Sequence, residues 1–249
     1  MSISEMLNLR NDRVISLVGG GGKTTTMYRL ASEFAEQGVR TVITTTTRIR
    51  VPDCTQVDGL VIGTDRSEVL AGVKNGFKNR RVLGIGSELQ PSGKLGGIPP
   101  EWVEALLEWA DCVIVEADGA KGRPFKAPAD HEPVLPSCAQ RLIAVVGIDA
   151  VGRPLDAENV HRPECVQAIT GLGQGETVRP TDVAAVALHP QGLGKGMPLS
   201  RQILLINKVE TNPQLAAAKE ICGLAVRGGF GMAAIACLHN RRAVIEVVS

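Results

Sequence analysis

The chain has no excess of charge of either sign and few aromatic residues. Lys and Arg number 27 against 26 for Asp and Glu, so no overall field attracts nucleic acid or an anionic membrane. Aromatic residues make up 3% of the chain, which argues against a base-stacking surface. We therefore expect no nucleic-acid partner, and any anion site must be local.

Long apolar runs are also missing. No stretch approaches the roughly 20 apolar residues that span a bilayer. The first residues, MSISEMLNLRNDR, are acidic and polar, whereas a secretion signal is basic and then apolar. We expect a cytoplasmic protein with no membrane partner.

The six cysteines lie far apart without a Cys-x-x-Cys pair, which fits neither a disulfide framework nor a common zinc motif. His161 and Cys165 are four residues apart, but Pro163 lies between them and would disturb a shared helical face. We expect most of the cysteines to be small core residues.

Short apolar runs alternate with helical patterns along most of the chain. The first run ends at four glycines and is followed by a helical pattern over about residues 24–37; a β-branched run then completes a right-handed β-α-β unit. We expect a single domain over residues 1–249: an α/β fold with a doubly wound, mostly parallel sheet like that of P-loop NTPases. The predicted strands are residues 13–18, 39–47, 60–62, 81–85, 112–115, 141–146, 203–206, 232–237 and 243–248.

The glycine run has the features of a phosphate-binding loop. Glycines allow unusual dihedral angles and close approach of the backbone to an anion, and the following helix contributes its positive end. Lys23 would reach the β and γ phosphates, and the Thr24 hydroxyl would bind Mg²⁺. The strict motif has glycine where Leu17 stands, but the flanking strand and helix favour a phosphate loop over a tight turn. The predicted ligand is Mg²⁺ with a nucleoside triphosphate, GTP or ATP, and the predicted binding residues are Gly19, Gly20, Gly21, Gly22, Lys23, Thr24 and Thr25.

Two acids follow the apolar run at residues 112–115. An acid at the end of such a strand normally holds Mg²⁺ or its water; Glu116 is the first candidate and Asp118 the second. Asp-Gly is also common turn chemistry, but the upstream lysine loop favours the metal role. We predict Thr24 and Glu116 as metal ligands, and Lys23, Glu116 and Asp118 as catalytic residues.

The segment Asn207-Lys208-Val209-Glu210 looks like the Asn-Lys-x-Asp element of GTPases, in which the acid accepts hydrogen bonds from guanine. Asn207, Lys208 and Glu210 are therefore predicted to contact the base, although Glu210 is longer than the usual aspartate. A helix start at residues 211–213, with capping and a proline in the first turn, explains the same polar residues. The choice between GTP and ATP stays open.

Two further segments are candidates for switch or substrate contacts. Thr46, Thr47 and Arg48 follow the second predicted strand, where related folds have a segment that senses the γ-phosphate, but consecutive threonines also favour a strand. The loop over residues 120–136 is rich in charge and proline, and loops of this length are often functional, although a solvated surface crossover is the alternative. Its candidate residues are Lys121, Lys126, His131 and Glu132.

The segments VGGGGKTTT, VITTTTRI, VIVEADGAKGRPFKAPADHEPVLP, HPQGLGKGMPL and LLINKVE resemble the YqeC-like family, described as selenium cofactor biosynthesis or selenium-dependent hydroxylase accessory proteins. The chain is more distantly similar to the metallochaperone GTPases of the signal recognition and MinD class, which often act as nucleotide-gated dimers. The resemblance implies a role in maturing molybdenum hydroxylases, with the enzyme or its cofactor as partner and a homodimer as the assembly. Val18 stands where the signature lysine of that class falls, which weakens the inference of catalysis by a lysine across the dimer.

Three functions remain open at this point. The leading hypothesis is an NTPase that cycles between two states. A kinase would use the 121–132 loop for a small acceptor and transfer phosphate stoichiometrically. A non-catalytic carrier would bind a nucleotide or a phosphorylated cofactor tightly without turnover.

Overall fold

A computed structural model describes residues 2–239 and 244–248. Contacts divide the chain into two compact units, which are described separately. Unit 1 consists of Met1–Leu17, Thr24–Asp118 and Val134–Arg141, and unit 2 of Val18–Lys23, Gly119–Pro133 and Leu142–Ser249. The expectation of one domain over residues 1–249 stays a prediction.

Unit 1 contains the earlier strands and helices. Its strands are β1 (Val14–Gly19), β2 (Thr41–Thr45), β3 (Arg48–Arg50), β4 (Gly59–Ile62), β5 (Val82–Gly86), β6 (Lys94–Gly96) and β7 (Cys112–Glu116). Its helices are α1 (Ile3–Met6), α2 (Lys23–Glu36), α3 (Arg66–Gly76) and α4 (Val103–Leu106). The last two residues of β1 and the first residue of α2 belong to unit 2.

Unit 2 contains the later strands and helices. Its strands are β8 (Phe125–Lys126), β9 (Arg141–Gly147), β10 (Val160–His161), β11 (Gln202–Asn207), β12 (Met232–Ala236) and β13 (Val244–Val248). Its helices are α5 (Pro163–Thr170), α6 (Pro180–Leu188) and α7 (Asn212–Arg227). The first residue of β9 belongs to unit 1.

In unit 1 the strands of the sheet lie in the order β1-β7-β2-β5-β4, and in unit 2 they lie in the order β13-β12-β11-β9. Within unit 1, β7 pairs in parallel with β1 and β2, and β5 pairs in parallel with β2 and β4. Within unit 2, β11 is parallel to β9 and β12, whereas β13 is antiparallel to β12. The predicted α/β fold with a doubly wound, mostly parallel sheet is confirmed.

The buried strands explain why the apolar runs are continuous rather than alternating. All residues of β1, β2, β5, β7 and β11 are buried, as expected for parallel strands covered on both faces. The helix that follows β11 begins as the capping interpretation predicts. Thr211 accepts a hydrogen bond from the Gln214 N–H, and Pro213 lies in the first turn of α7. No helix within residues 2–239 or 244–248 has the length and apolarity needed to cross a membrane.

The predicted strand over residues 39–47 is too long. The Thr45 hydroxyl accepts a hydrogen bond from the Thr47 N–H at 3.0 Å, a local turn that ends β2 after Thr45. Arg48 therefore belongs to the short strand β3, which pairs with β6. At the other end of the chain, β13 begins at Val244, and the preceding residue of the predicted strand, Ala243, lies outside the described residues.

Candidate functional site: a glycine loop and an acidic strand end

The glycine loop joins the end of β1 to the start of α2, and its backbone adopts conformations that favour glycine. Gly19, Gly21 and Gly22 have φ angles of +93°, +74° and +144°, values that side chains with a Cβ rarely adopt. Space is equally restrictive. A Cβ would come within 2.2 to 2.5 Å of an atom of unit 2 at each position: Val145 O for Gly19, Arg123 O for Gly20, Gly147 N for Gly21 and Asn207 Nδ2 for Gly22.

Two N–H groups of this loop are used by the protein itself. The Gly20 N–H donates to Val145 O at 2.8 Å, and the Gly21 N–H donates to Arg123 O at 3.0 Å. The first N–H groups of a helix, in contrast, have no acceptor within the helix, and α2 begins directly after Gly22. Any backbone donors to an anion at this loop would therefore have to lie later in the motif than Gly20 and Gly21, towards the first turn of α2.

Lys23 is the first residue of α2 and is 5% exposed. Its Nζ donates to Gly19 O at 2.6 Å, so the side chain folds back over the loop. A lysine held in this way places a positive charge beside the backbone of the loop. The arrangement is suited to an anion that replaces the Gly19 carbonyl as the acceptor.

Within unit 1, Thr24 and Glu116 are in direct contact. The Thr24 hydroxyl donates to Glu116 Oε2 at 2.8 Å, and Glu116 is the buried last residue of β7. Asp118 lies two residues further on and is 1% exposed. Burial raises the pKa of Tyr28 to about 12, with the negative charges of Glu116 and Asp53 adding to the effect. The Thr24 hydroxyl and the Glu116 carboxylate, the two predicted metal ligands, lie side by side. Both are hard oxygen donors, the type that Mg²⁺ prefers.

Asn207 and Lys208 both make contacts within unit 2. The Asn207 amide donates to Gly21 O at 2.9 Å, and its oxygen accepts the Leu238 N–H at 3.1 Å. Lys208 has a φ of +66°, and its Nζ lies 2.8 Å from Asp149 Oδ2. Asn207 therefore braces the glycine loop from the end of β11, a role that a prediction of base contact did not anticipate.

Glu210, the residue predicted to contact guanine, is exposed and lies just before α7. Its Oε1 lies 3.7 Å from Cys237 Sγ. Asp149, beside Lys208, lines a cavity of about 280 Å³ between the end of β9 and the first turns of α7. No local pattern indicates Asp149, because its pairing with Lys208 joins residues far apart in the chain.

The threonines at the end of β2 and just after it make hydrogen bonds within unit 1. The Thr45 hydroxyl donates to Glu116 O at 2.7 Å, and the Thr46 hydroxyl donates to Val134 O at 2.8 Å. The Thr47 and Thr45 hydroxyls lie 3.2 Å apart, while the side chain of Arg48 is exposed. Of the predicted switch residues, Arg48 is the most accessible to a ligand.

The charged loop of unit 2 contains a buried ion cluster. Lys126 is 0% exposed, and its Nζ lies 2.5 Å from Glu132 Oε2 and 2.7 Å from Gly119 O. Arg162 donates to the same Glu132 oxygen. Burial tends to raise the pKa of Glu132, but hydrogen bonds and charge from Lys126 and Arg162 outweigh it and lower the pKa to about 2. No local pattern links Arg162 to Glu132, because the two residues are 30 positions apart in the chain.

The other candidates in this region are not members of the ion cluster. Lys121 and His131 are exposed. His161 ends β10, and Cys165 lies in α5. Burial lowers the pKa of His161, and the positive charges of Arg162 and Lys126 lower it further. Among the described residues, no three His, Cys, Asp or Glu side chains are grouped to hold a metal ion.

Comparison with known proteins gives two matches. The profile of the YqeC protein family matches residues 15–164, which include the glycine loop, Glu116 and the buried ion cluster. The "Uncharacterized protein YqeC" of Escherichia coli (strain K12) is 33% identical over 216 residues, 84% of this chain and 80% of that protein.

Proposed function

The chain belongs to the YqeC protein family, and we propose that it is a Mg²⁺-dependent NTPase that assists the maturation of selenium-dependent molybdenum hydroxylases. We base the nucleotide site on one observation above all: the buried Lys23 folded over a glycine loop that has no room for side chains. Strand, glycine loop and helix start follow one another as a phosphate site requires. These features of the loop support the proposed P-loop site.

The residues of the loop would share the work of binding phosphate. The first turn of α2 would donate N–H groups, since Gly20 and Gly21 donate to protein carbonyls. Lys23 would exchange the Gly19 carbonyl for a phosphate oxygen. The positive end of α2 would add to the attraction.

The residues present fit Mg²⁺. Thr24 and Glu116 supply one hydroxyl and one carboxylate oxygen, already 2.8 Å apart. Mg²⁺ typically takes one or two protein ligands and completes its shell with phosphate oxygens and water, so a larger cluster of acids is not needed. When bound, the ion would neutralise the charge that develops on the β and γ phosphates. Asp118, two residues after Glu116, is the proposed holder of a water.

The proposed partner, a molybdenum hydroxylase or its cofactor, is inferred from the family resemblance alone. Binding of the triphosphate would order the loops after β2 and β7, and hydrolysis would release them. In the proposed role, that change gates delivery to a molybdenum hydroxylase or insertion of its cofactor. GTP and ATP both remain candidates, because Glu210 is exposed and Asn207 is committed to protein contacts.

Phosphate release with and without Mg²⁺ tests the proposed activity. Glu116→Gln removes one metal ligand and should lower Mg²⁺-dependent release at least about tenfold. Glu246→Gln changes the same chemical group in an exposed ion pair with Lys219 and should leave release unchanged. Equal release by both variants would contradict the assignment. Transfer of the γ-phosphate to a small molecule would instead indicate a kinase, and tight binding without release a carrier.

A further inference from the structure

Unit 1 has a groove of about 740 Å³ that the proposed nucleotide site does not use. It lies where the chain enters β4 and β5, at the amino ends of these parallel strands. Glu116 marks the opposite edge, because it ends β7 at its carboxyl end. We call this site the basic groove; it is lined by Cys54, Val57, Asp58, Phe77, Lys78, Asn79, Arg80 and Arg81.

The charge of the basic groove is strongly positive. Lys78, Arg80 and Arg81 lie within four residues and are all exposed. Within residues 2–239 and 244–248, none of these three side chains has a hydrogen bond or an ion pair. In a chain whose total charges nearly balance, three neighbouring cations without acidic partners concentrate positive potential at one place.

Asp58 is the carboxylate in the groove lining, and backbone groups occupy it. Its Oδ2 accepts the Arg81 N–H at 2.7 Å and the Val82 N–H at 2.8 Å. These bonds fix the turn that carries the cations. Asp58 therefore holds the backbone in place and forms no ion pair with the neighbouring guanidinium groups.

Arg80 lies against the backbone at Gly59. A Cβ at position 59 would come 2.8 Å from Arg80 Nη1 and 2.9 Å from Cζ, so the guanidinium group occupies the space that the glycine leaves. A guanidinium group binds phosphate oxygens with two parallel hydrogen bonds.

We propose that the basic groove binds a small organic molecule that carries a diphosphate group. Three cations match the charge of a diphosphate, and the volume falls in the range of small-molecule sites. Val57 and Phe77, which are 7% and 9% exposed, supply an apolar part of the lining for the organic portion. The groove is independent of the glycine loop, so this site stands whether or not the chain hydrolyses nucleotides.

Cys54 provides a reporter inside the groove because it is exposed, whereas Cys112, Cys222 and Cys237 are buried. Its rate of modification can be compared for a dianionic aromatic disulfide, 5,5′-dithiobis(2-nitrobenzoate), and a neutral one, 4,4′-dithiodipyridine. A Cys54→Ser variant identifies the phase that belongs to this thiol. All measurements use the Lys23→Ala background, so that the probe, inorganic pyrophosphate, does not report on the glycine loop.

At low salt, we expect the anionic reagent to modify Cys54 at least about tenfold faster in the parent protein than in an Arg80→Gln/Arg81→Gln variant. The neutral reagent should react equally with both. Pyrophosphate should slow the anionic reaction of the parent protein but not that of the variant. The matched control, Arg66→Gln/Arg227→Gln, removes two exposed arginines elsewhere and should behave like the parent.

Three results would overturn the proposal. The first is equal protection of the parent and the Arg80→Gln/Arg81→Gln variant by pyrophosphate. The second is no protection of either protein. The third is protection by an octaglutamate peptide at lower concentration than by pyrophosphate, which would make the basic groove a site for an acidic protein segment.

Discussion

Replacing Glu132 by glutamine should strongly destabilise unit 2. Lys126 is fully buried, and Glu132 supplies the negative charge that its ammonium group contacts at 2.5 Å. Glutamine keeps the shape and one acceptor oxygen but removes the charge. Breaking a buried ion pair from one side typically costs 3–5 kcal/mol, and because glutamine keeps one acceptor we expect about 3 kcal/mol. For a chain of this size that loss lowers the melting temperature by roughly 10 °C.

Urea unfolding followed by circular dichroism measures the change. Glu246→Gln is the matched control because the Lys219–Glu246 pair is exposed, and such a pair contributes less than about 1 kcal/mol. Adding Lys126→Met to Glu132→Gln should return part of the lost stability, since it removes the buried unpaired charge. A loss no larger than that of the control, or no recovery in the double variant, would refute the reasoning.

Three further predictions concern pH and the glycine loop. Because the pKa of Glu132 is lowered from 4.5 to about 2, its stabilisation is present above about pH 4.5 and is lost as the pH falls towards 2; urea unfolding should show the gap between wild type and Glu132→Gln closing over that range. Gly21→Ala should lower stability more than Gly38→Ala, because both have positive φ but only Gly21 meets a backbone atom at 2.3 Å; a smaller loss for Gly21→Ala in urea unfolding would be unexpected. Asn207→Ala should weaken GTP and ATP binding alike in calorimetry, since Asn207 braces the loop; a loss confined to GTP would indicate base contact.

Local signals were sufficient to predict the strands and helices around the loop. The predicted helix over residues 24–37 and the observed α2, Lys23–Glu36, differ by one residue at each end. The glycine run lies directly before the start of α2, and Gly38 follows its end by two residues. The end of β2 was missed because the turn made by the Thr45 hydroxyl competes with the strand preference of the same threonines.

The partners of individual side chains were harder to predict than the location of the site. Thr24 and Glu116 were expected to act together and do contact each other. Lys126 and Glu132 were predicted to be substrate-loop residues because the loop is long and rich in charge and proline. They are instead buried in an ion cluster that Arg162, far along the chain, joins through Glu132, and no local pattern reveals such a pairing. Their proposed contact with a substrate stays a prediction.

Calorimetric titration of the purified protein with Mg²⁺ and either GTP or ATP tests the nucleotide site most directly. Lys23→Ala removes the lysine that folds over the loop, and Lys94→Ala removes an exposed lysine of β6 as the control. We predict that wild type and Lys94→Ala bind at least one of the two nucleotides and that Lys23→Ala does not. Failure of the folded wild-type protein to bind either nucleotide, or unchanged binding by Lys23→Ala, would contradict the assignment of the glycine loop as a nucleotide site.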